Sequence, residues 1–179
     1  MLVKTIFAGF GGQGVLMMGY TFAQAAMMEG YQVTYLPSYG AEVRGGAANC
    51  TVAVADEEIA SPIASEPDCL VIMNKPSLLT FQNRITHGGV MFLNTSLVDI
   101  RPFREDVVVY EIPLAKIANS IGVTRGHNLI MLGAFVRHTK IVSPETCLKG
   151  LEERMKGKKG TAWETNRKAL MAGYQWEKS

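Results

Sequence analysis

Thr5-Ile6-Phe7-Ala8-Gly9-Phe10-Gly11-Gly12-Gln13-Gly14 is the stretch on which the fold of this 179-residue chain turns. A short apolar run that ends in glycine predicts a buried strand over Thr5 to Ala8. The spacing Gly9-x-Gly11-x-x-Gly14 then leads into a helical pattern. Strand, glycine loop and helix in that order look like a phosphate cradle and formally match the dinucleotide motif. Gly9 allows the tight turn, Gly11 lets the backbone approach an anion, and Gly14 lets helix and strand pack closely. The unpaired N–H groups at the helix start, with its positive dipole end, favour a phosphate, and Gln13 adds a side-chain donor at that mouth. The competing reading is packing alone, with the glycines admitting a partner subunit at close range.

Working outward, Gln13 to about Gly30 predicts a helix closed by Gly30, with Gly19 its only Gly or Pro interruption. Val15, Leu16, Met17, Met18, Tyr20, Phe22, Met27 and Met28 lie on nearly every face of it. A helix that is apolar all round is buried all round, so one side should meet the sheet and the other further protein. Gln32-Val33-Thr34-Tyr35-Leu36 reads as a second strand, which makes residues 1–37 a parallel β-α-β unit. A nicotinamide-binding unit usually places Asp or Glu at the end of that strand, for the ribose hydroxyls. Tyr35-Leu36-Pro37-Ser38 offers none, which counts against NAD.

Beyond a polar glycine-rich loop, Cys50 to Val54 alternates as a strand. Asp56-Glu57 looks like its turn, with Glu58-Ile59-Ala60 the return of a hairpin. Leu70 to Met73, Val90 to Leu93 and Val107 to Tyr110 are further strands. Pro76-Ser77 opens a helix to about Ile85, Pro113 a short one ending before Gly122, and Asn128 to Lys140 is a third, apolar helix. Ser143-Pro144-Glu145 is an N-cap with proline at the first helical position, for a helix to about Met155. Thr161-Ala162-Trp163-Glu164 reads as a capping box for the last helix. Trp163 and Tyr174 share a face of it, which predicts packing rather than ligand stacking. The fold class is α/β: a three-layer α/β/α sandwich with a mixed, mainly parallel sheet and a helical C-terminal segment. Residues 1–179 form one domain, with 1–142 its core and 143–179 the terminal helices.

Composition bounds the function. Apolar residues make up 47% and charged residues 19%, and a mean hydropathy of +0.09 is high for a chain that stays in solution alone. The excess reads as surface that another subunit covers. The net charge is +2, and the basic residues are scattered. The single cluster, Lys156-Gly157-Lys158-Lys159, reads as a solvated linker, so neither nucleic acid nor a membrane surface is an expected partner. Apolar runs fall short of the ~18 residues a bilayer span needs. Met1-Leu2-Val3-Lys4 leads straight into a strand pattern, without the look of a secretory signal. Cys50, Cys69 and Cys147 are odd in number and far apart, which points to a reducing, cytoplasmic setting. Three cysteines cannot supply the four ligands an iron–sulfur cluster normally takes. His87, His127 and His138 lack metal-ligand spacing.

Tyr39-Gly40-Ala41-Glu42-Val43-Arg44-Gly45-Gly46 is the second unusual stretch. An arginine before two glycines presents a guanidinium fork beside open backbone, which suits a carboxylate or phosphate. Glu42, two residues away, can orient Arg44. Both glycine loops leave the carboxyl ends of strands, so they should lie side by side. Together, Gly9-x-Gly-Gly-Gln-Gly14 and Tyr-Gly-x-Glu-x-Arg-Gly-Gly over 39–46 resemble the gamma subunit of the 2-oxoacid:ferredoxin oxidoreductases. Ser61-Pro62, Pro67-Asp68 and Asn128-Leu129-Ile130-Met131-Leu132-Gly133-Ala134 fit as well. The resemblance covers roughly residues 3–140. It implies a holoenzyme that oxidatively decarboxylates a 2-oxoacid, 2-oxoglutarate first among them, to an acyl-CoA and reduces ferredoxin. It further implies alpha and beta subunits, with or without delta, as partners. Those sisters would hold thiamine diphosphate and the iron–sulfur clusters, and this chain would hold no catalytic residue, metal or cofactor. Gly9, Gly11, Gly12, Gln13, Gly14, Tyr39, Gly40, Glu42, Arg44, Gly45 and Gly46 would form a subunit- or ligand-binding surface with Asn128 in support. CoA or the substrate carboxylate is the candidate ligand there. Pyruvate, branched-chain and indolepyruvate enzymes are similar. The reading from another class is a free-standing nucleotide-binding or regulatory module.

Overall fold

A computed structural model describes residues 1–39, 46–156 and 160–177. In chain order the elements are β1 (Leu2–Phe10), α1 (Val15–Met28), β2 (Gln32–Tyr39), β3 (Ala47–Ala55), β4 (Cys69–Ile72), α2 (Lys75–Phe81), β5 (Val90–Asn94), β6 (Val108–Ile112), α3 (Leu114–Ser120), α4 (His127–Thr139), α5 (Pro144–Arg154) and α6 (Thr161–Gln175). A single 3-10 turn, Gln82–Arg84, extends α2. The six strands form one sheet in the order β2-β3-β1-β4-β5-β6. β4, β5 and β6 add to β1 in parallel, and among the described strands β3 alone runs against the rest. This is the expected mixed, mainly parallel α/β sheet.

Strand alternation splits the core in two. Phe7 faces one side and joins Phe22, Phe92 and Phe135, whose ring centroids lie 5.0–5.3 Å from Phe135 in edge-to-face contact. Such pairs stabilise by about 0.5–1.5 kcal/mol each beyond their burial. Ile6 and Ala8 face the other side, where Leu70, Ile72, Met91 and Leu93 pack on Leu78, Phe81 and Ile85. α1, α4, α5 and α6 cover the first face and α2 the second.

Two expectations about connectivity need correction. β1 and β2 run parallel, but β3 is inserted between them, hydrogen-bonded to both. The hairpin is therefore β2–β3. Asp56 does not turn the chain into a return strand: Glu58-Ile59-Ala60 is irregular, and Asp56 N–H donates to Met1 O (3.2 Å) where the sheet ends. Pro62 and Pro67 cannot donate to a ladder, so this segment crosses the bottom of the sheet to reach β4 on the far side of β1.

The outer side of α1 meets α5, so part of the further protein predicted for it comes from this chain. Tyr20 and Met27 stay exposed on it. Gly19 is where α1 touches the sheet, since a Cβ there would lie 2.3 Å from Cys50 Sγ. Ser143 caps α5 as expected, its Oγ accepting from Thr146 N–H (3.2 Å), and Glu29 of the α1 C-terminus accepts from Ser143 N–H (2.7 Å). The capping box on α6 is not formed. Gly160 is the N-cap, without a side-chain acceptor, and Thr161 is already helical. Trp163 is buried in the first core, while Tyr174 is half-buried under the Arg137 guanidinium (5.6 Å).

Candidate functional site

The parallel strands all end on one side of the sheet. α1 leaves β1 for one face and α2 leaves β4 for the other, so the chain changes face between β1 and β4. A crevice opens at such a switch point. Here it is a cleft of about 530 Å³ lined by Gly12, Gln13, Gly14, Met73, Asn94, Leu97 and residues Thr124–Asn128.

Two helices begin at this cleft. α1 starts at Gly14 (φ 75°) and α4 at Gly126 (φ 100°), and neither has a side-chain cap. Left-handed backbone favours glycine at both positions. Uncapped starts leave their first N–H groups without intrahelical acceptors and point the positive dipole ends at the same space. Gly12 and Gly14 N–H likewise find no acceptor among the described residues. Arg125 is exposed on the rim and forms no ion pair with a described residue. Asn128 ties the two starts together. Its Nδ2 donates to Gly14 O (3.4 Å), and a Cβ on Gly14 would come within 2.5 Å of that nitrogen.

The glycine loop itself is folded by hydrogen bonds. Gln13 Oε1 accepts from Phe10 N–H (2.6 Å) and Asn74 Nδ2 (2.9 Å), and its Nε2 donates weakly to Met73 O (3.4 Å). The expected donor at the mouth is thus turned inward, because Phe10 N–H would otherwise lack a partner. Gly9 serves the same fold. A Cβ there would sit 2.6 Å from Gln13 Oε1 and 3.0 Å from Met73 Cβ. Gly11 N–H donates to Gly46 O (2.9 Å), which ties the first loop to the residue just before β3. The Tyr39 side chain, Gly40, Glu42, Arg44 and Gly45 lie outside the described residues.

Sequence reasoning missed Arg125, Asn74 and Asn94. Asn74 before Lys75-Pro76 carried a legible N-cap signal, and its Oδ1 does accept from Ser77 N–H (2.9 Å). Asn94 gave no local signal, because only the parallel pairing of β4 and β5 brings it to Met73.

The chemistry available is anion binding by backbone N–H groups and a guanidinium. Dinucleotide binding in the usual manner does not fit, since the end of β2 carries no carboxylate and lies two strands from β1. Cys50, Cys69 and Cys147 are buried separately, and burial pushes each thiol up to about 12. Among the described residues no three His, Cys, Asp or Glu side chains gather to hold a metal ion. Nor is any helix among them long and apolar enough to cross a membrane.

A glycine loop at the switch point of a mixed, mainly parallel sheet, with two helix starts at one cleft, defines the class as an α/β protein of the doubly wound kind. The family model described as pyruvate ferredoxin/flavodoxin oxidoreductase matches residues 4–176, and the chain belongs to that family. The match runs through α5 and α6, further than the motifs reach. The chain is 36% identical over 171 residues to the 2-oxoglutarate synthase subunit KorC of Methanocaldococcus jannaschii, covering 94% of this chain and 90% of that one. It is 40% identical over 134 residues to the ketoisovalerate oxidoreductase subunit VorA of Methanothermobacter marburgensis, covering 75% of this chain but spanning only 28% of that protein's length. The solved gamma subunit of a keto/oxoacid ferredoxin oxidoreductase from Geobacter sulfurreducens has a TM-score of 0.84 at 27% identity, over 98% of this chain and 95% of that one.

Proposed function

We propose that this chain is the gamma subunit of a 2-oxoacid:ferredoxin oxidoreductase that oxidatively decarboxylates 2-oxoglutarate with CoA to an acyl-CoA and CO2, passing the two electrons to ferredoxin in the cytoplasm. The observation that carries the reading is the near end-to-end similarity to KorC, within a family match over residues 4–176. The partners are alpha and beta subunits, with or without delta. Thiamine diphosphate and iron–sulfur clusters on those subunits supply the decarboxylation and the electron path. This chain, folded as one domain, is inactive alone.

Its own contribution is at the cleft. The first N–H groups of α1 and α4 and the Arg125 fork hold an anionic group, either a CoA phosphate or the oxoacid carboxylate. A helix start stabilises such a charge by about 0.3–1 kcal/mol when exposed, and up to about 2 kcal/mol when partly buried. Packing of sister subunits over the glycine loops would remove water and move the cleft toward the upper figure. Arg44 of the neighbouring loop is assigned the same task from its sequence setting.

The test is purification of the complex from its host and assay of ferredoxin reduction. Activity with 2-oxoglutarate and CoA is expected, and elution of this chain without thiamine-enzyme partners refutes the reading. Arg44→Ala and Arg125→Ala should each raise the apparent KM for CoA or the oxoacid. The 40% identity to VorA supports a second reading, in which the acid is ketoisovalerate. Relative kcat/KM for the two acids decides between them.

A further inference from the structure

Asn74 and Asn94 are 2% and 1% exposed, buried amides at the ends of β4 and β5 directly beneath the glycine loop. Burying an amide is unfavourable unless it is hydrogen-bonded, and both are. Asn94 Nδ2 donates to Met73 O (3.0 Å) and its Oδ1 accepts from Ser96 N–H (3.1 Å). Asn74 Oδ1 caps α2, while its Nδ2 donates to Gln13 Oε1 (2.9 Å). Gln13 and Met73 complete the chain of contacts. Met73 O takes donors from Asn94 and Gln13, and Gln13 Oε1 takes Phe10 N–H, the turn amide of the loop.

We propose that Asn74 and Asn94 are positioning residues, which act through Gln13 and Met73 to hold the glycine loop in the one shape that turns the Gly12 and Gly14 N–H groups into the cleft. The proposal rests on reading the cleft as an anion site. The sheet ladder itself does not use these amides: their Oδ1 atoms cap α2 and hold the turn at Ser96, and their Nδ2 atoms reach Gln13 and Met73. What they specify is loop conformation. Without the Asn74 donor, Gln13 Oε1 loses one of its two partners, and Gln13 is freer to leave Phe10 N–H. Without the Asn94 donor, Met73 O keeps only the longer bond from Gln13. In either case the N–H groups of Gly12 and Gly14 lose their fixed direction, and ordering them again must be met from the ligand's binding energy. Fully paired buried networks fix one conformation in this way.

The experiment uses the assembled complex. Asn74→Ser keeps a cap for α2 but cannot reach Gln13. Asn94→Asp keeps the acceptor for Ser96 and, when ionised, has no donor for Met73 O; it is assayed at pH 8, where the protonated carboxyl that would restore the bond is least populated. Each should raise the apparent KM for CoA or for 2-oxoglutarate about three- to tenfold, the worth of one lost hydrogen bond, with kcat within about twofold. Amide hydrogen exchange at Gly11 to Gly14 should quicken in the same variants. A merely structural role would lower the melting temperature and leave both KM values alone. If Arg125→Ala raises a KM while Asn74→Ser and Asn94→Asp do not, the positioning role is overturned and the anion site stands. If none of the three moves either KM, the cleft is not a ligand site and both ideas fall. Should Asn74→Ser fail to assemble, Asn94→Asp decides alone.

Discussion

Gly133→Ala should unfold this protein at a markedly lower temperature, although alanine is the better helix former. Gly133 sits where α4 crosses α6. A Cβ built on it lies 2.0 Å from Leu170 O and 2.7 Å from Tyr174 N, both of them α6 backbone. The reciprocal position is equally tight, with a Cβ on Gly173 only 1.8 Å from Ile130 O. Carbon and oxygen settle at about 3.4 Å, so α6 would have to retreat by about 1.4 Å. A radial gap of about 0.5–1 Å already forfeits a quarter to a half of a dispersion contact. Leu170, Ala169 and Trp163, which α6 buries against its neighbours, would loosen together. Overpacking costs about 1–3 kcal/mol, and the upper end applies because the obstacle is backbone that cannot rotate aside. Lost packing adds to this, and the propensity gain of about 1 kcal/mol offsets part of it. The net is about 2–3 kcal/mol, or about 4–12 °C in Tm for a domain this size. Gly150→Ala is the matched control. It too replaces a helical glycine, but its Cβ meets the movable end of Gln24 at 3.3 Å, so stability should hold or rise by up to about 1 kcal/mol. Thermal and urea unfolding followed by circular dichroism measure both. A Gly133→Ala protein as stable as the parent would refute the close-crossing account.

Two further outcomes are expected. Arg104 Nε and Nη2 donate to the two oxygens of Asp106 (2.6 and 2.5 Å), and those hydrogen bonds bring the carboxyl down to about 2. A folded pKa below the unfolded one stabilises above about pH 4, and that contribution disappears as pH falls through about 2. Asp106→Asn should therefore be less stable than the parent at pH 6, with the difference closing by pH 2; a pH-independent difference in unfolding free energy would contradict the pairing. The three buried thiols, each pushed up to about 12 by burial, should resist iodoacetamide at pH 8 in the folded protein and react after denaturation. Rapid native labelling of any one would show that its site opens.

Sequence alone determined the class of fold and the family. A glycine-ended apolar run, a helix apolar on every side and successive apolar strands leave few arrangements other than a mainly parallel sheet clad in helices. The paired glycine loops were distinctive enough to carry the family resemblance. These signals are local: each depends on a few residues and their spacing. Tertiary structure decided the rest, because the remaining contacts join residues distant in the chain. Insertion of β3 between β1 and β2 depends on ladder pairing that no periodicity encodes, and it removes the geometry a dinucleotide would need. Gln13 looked like a donor offered to a ligand until folding set it against Phe10 and Asn74, 61 residues on. Arg125 and the start of α4 reach the first glycine loop only because α4 packs on the same face as α1. The opening glycine loop was therefore legible as a loop, while its role as one wall of a cleft belongs to the fold.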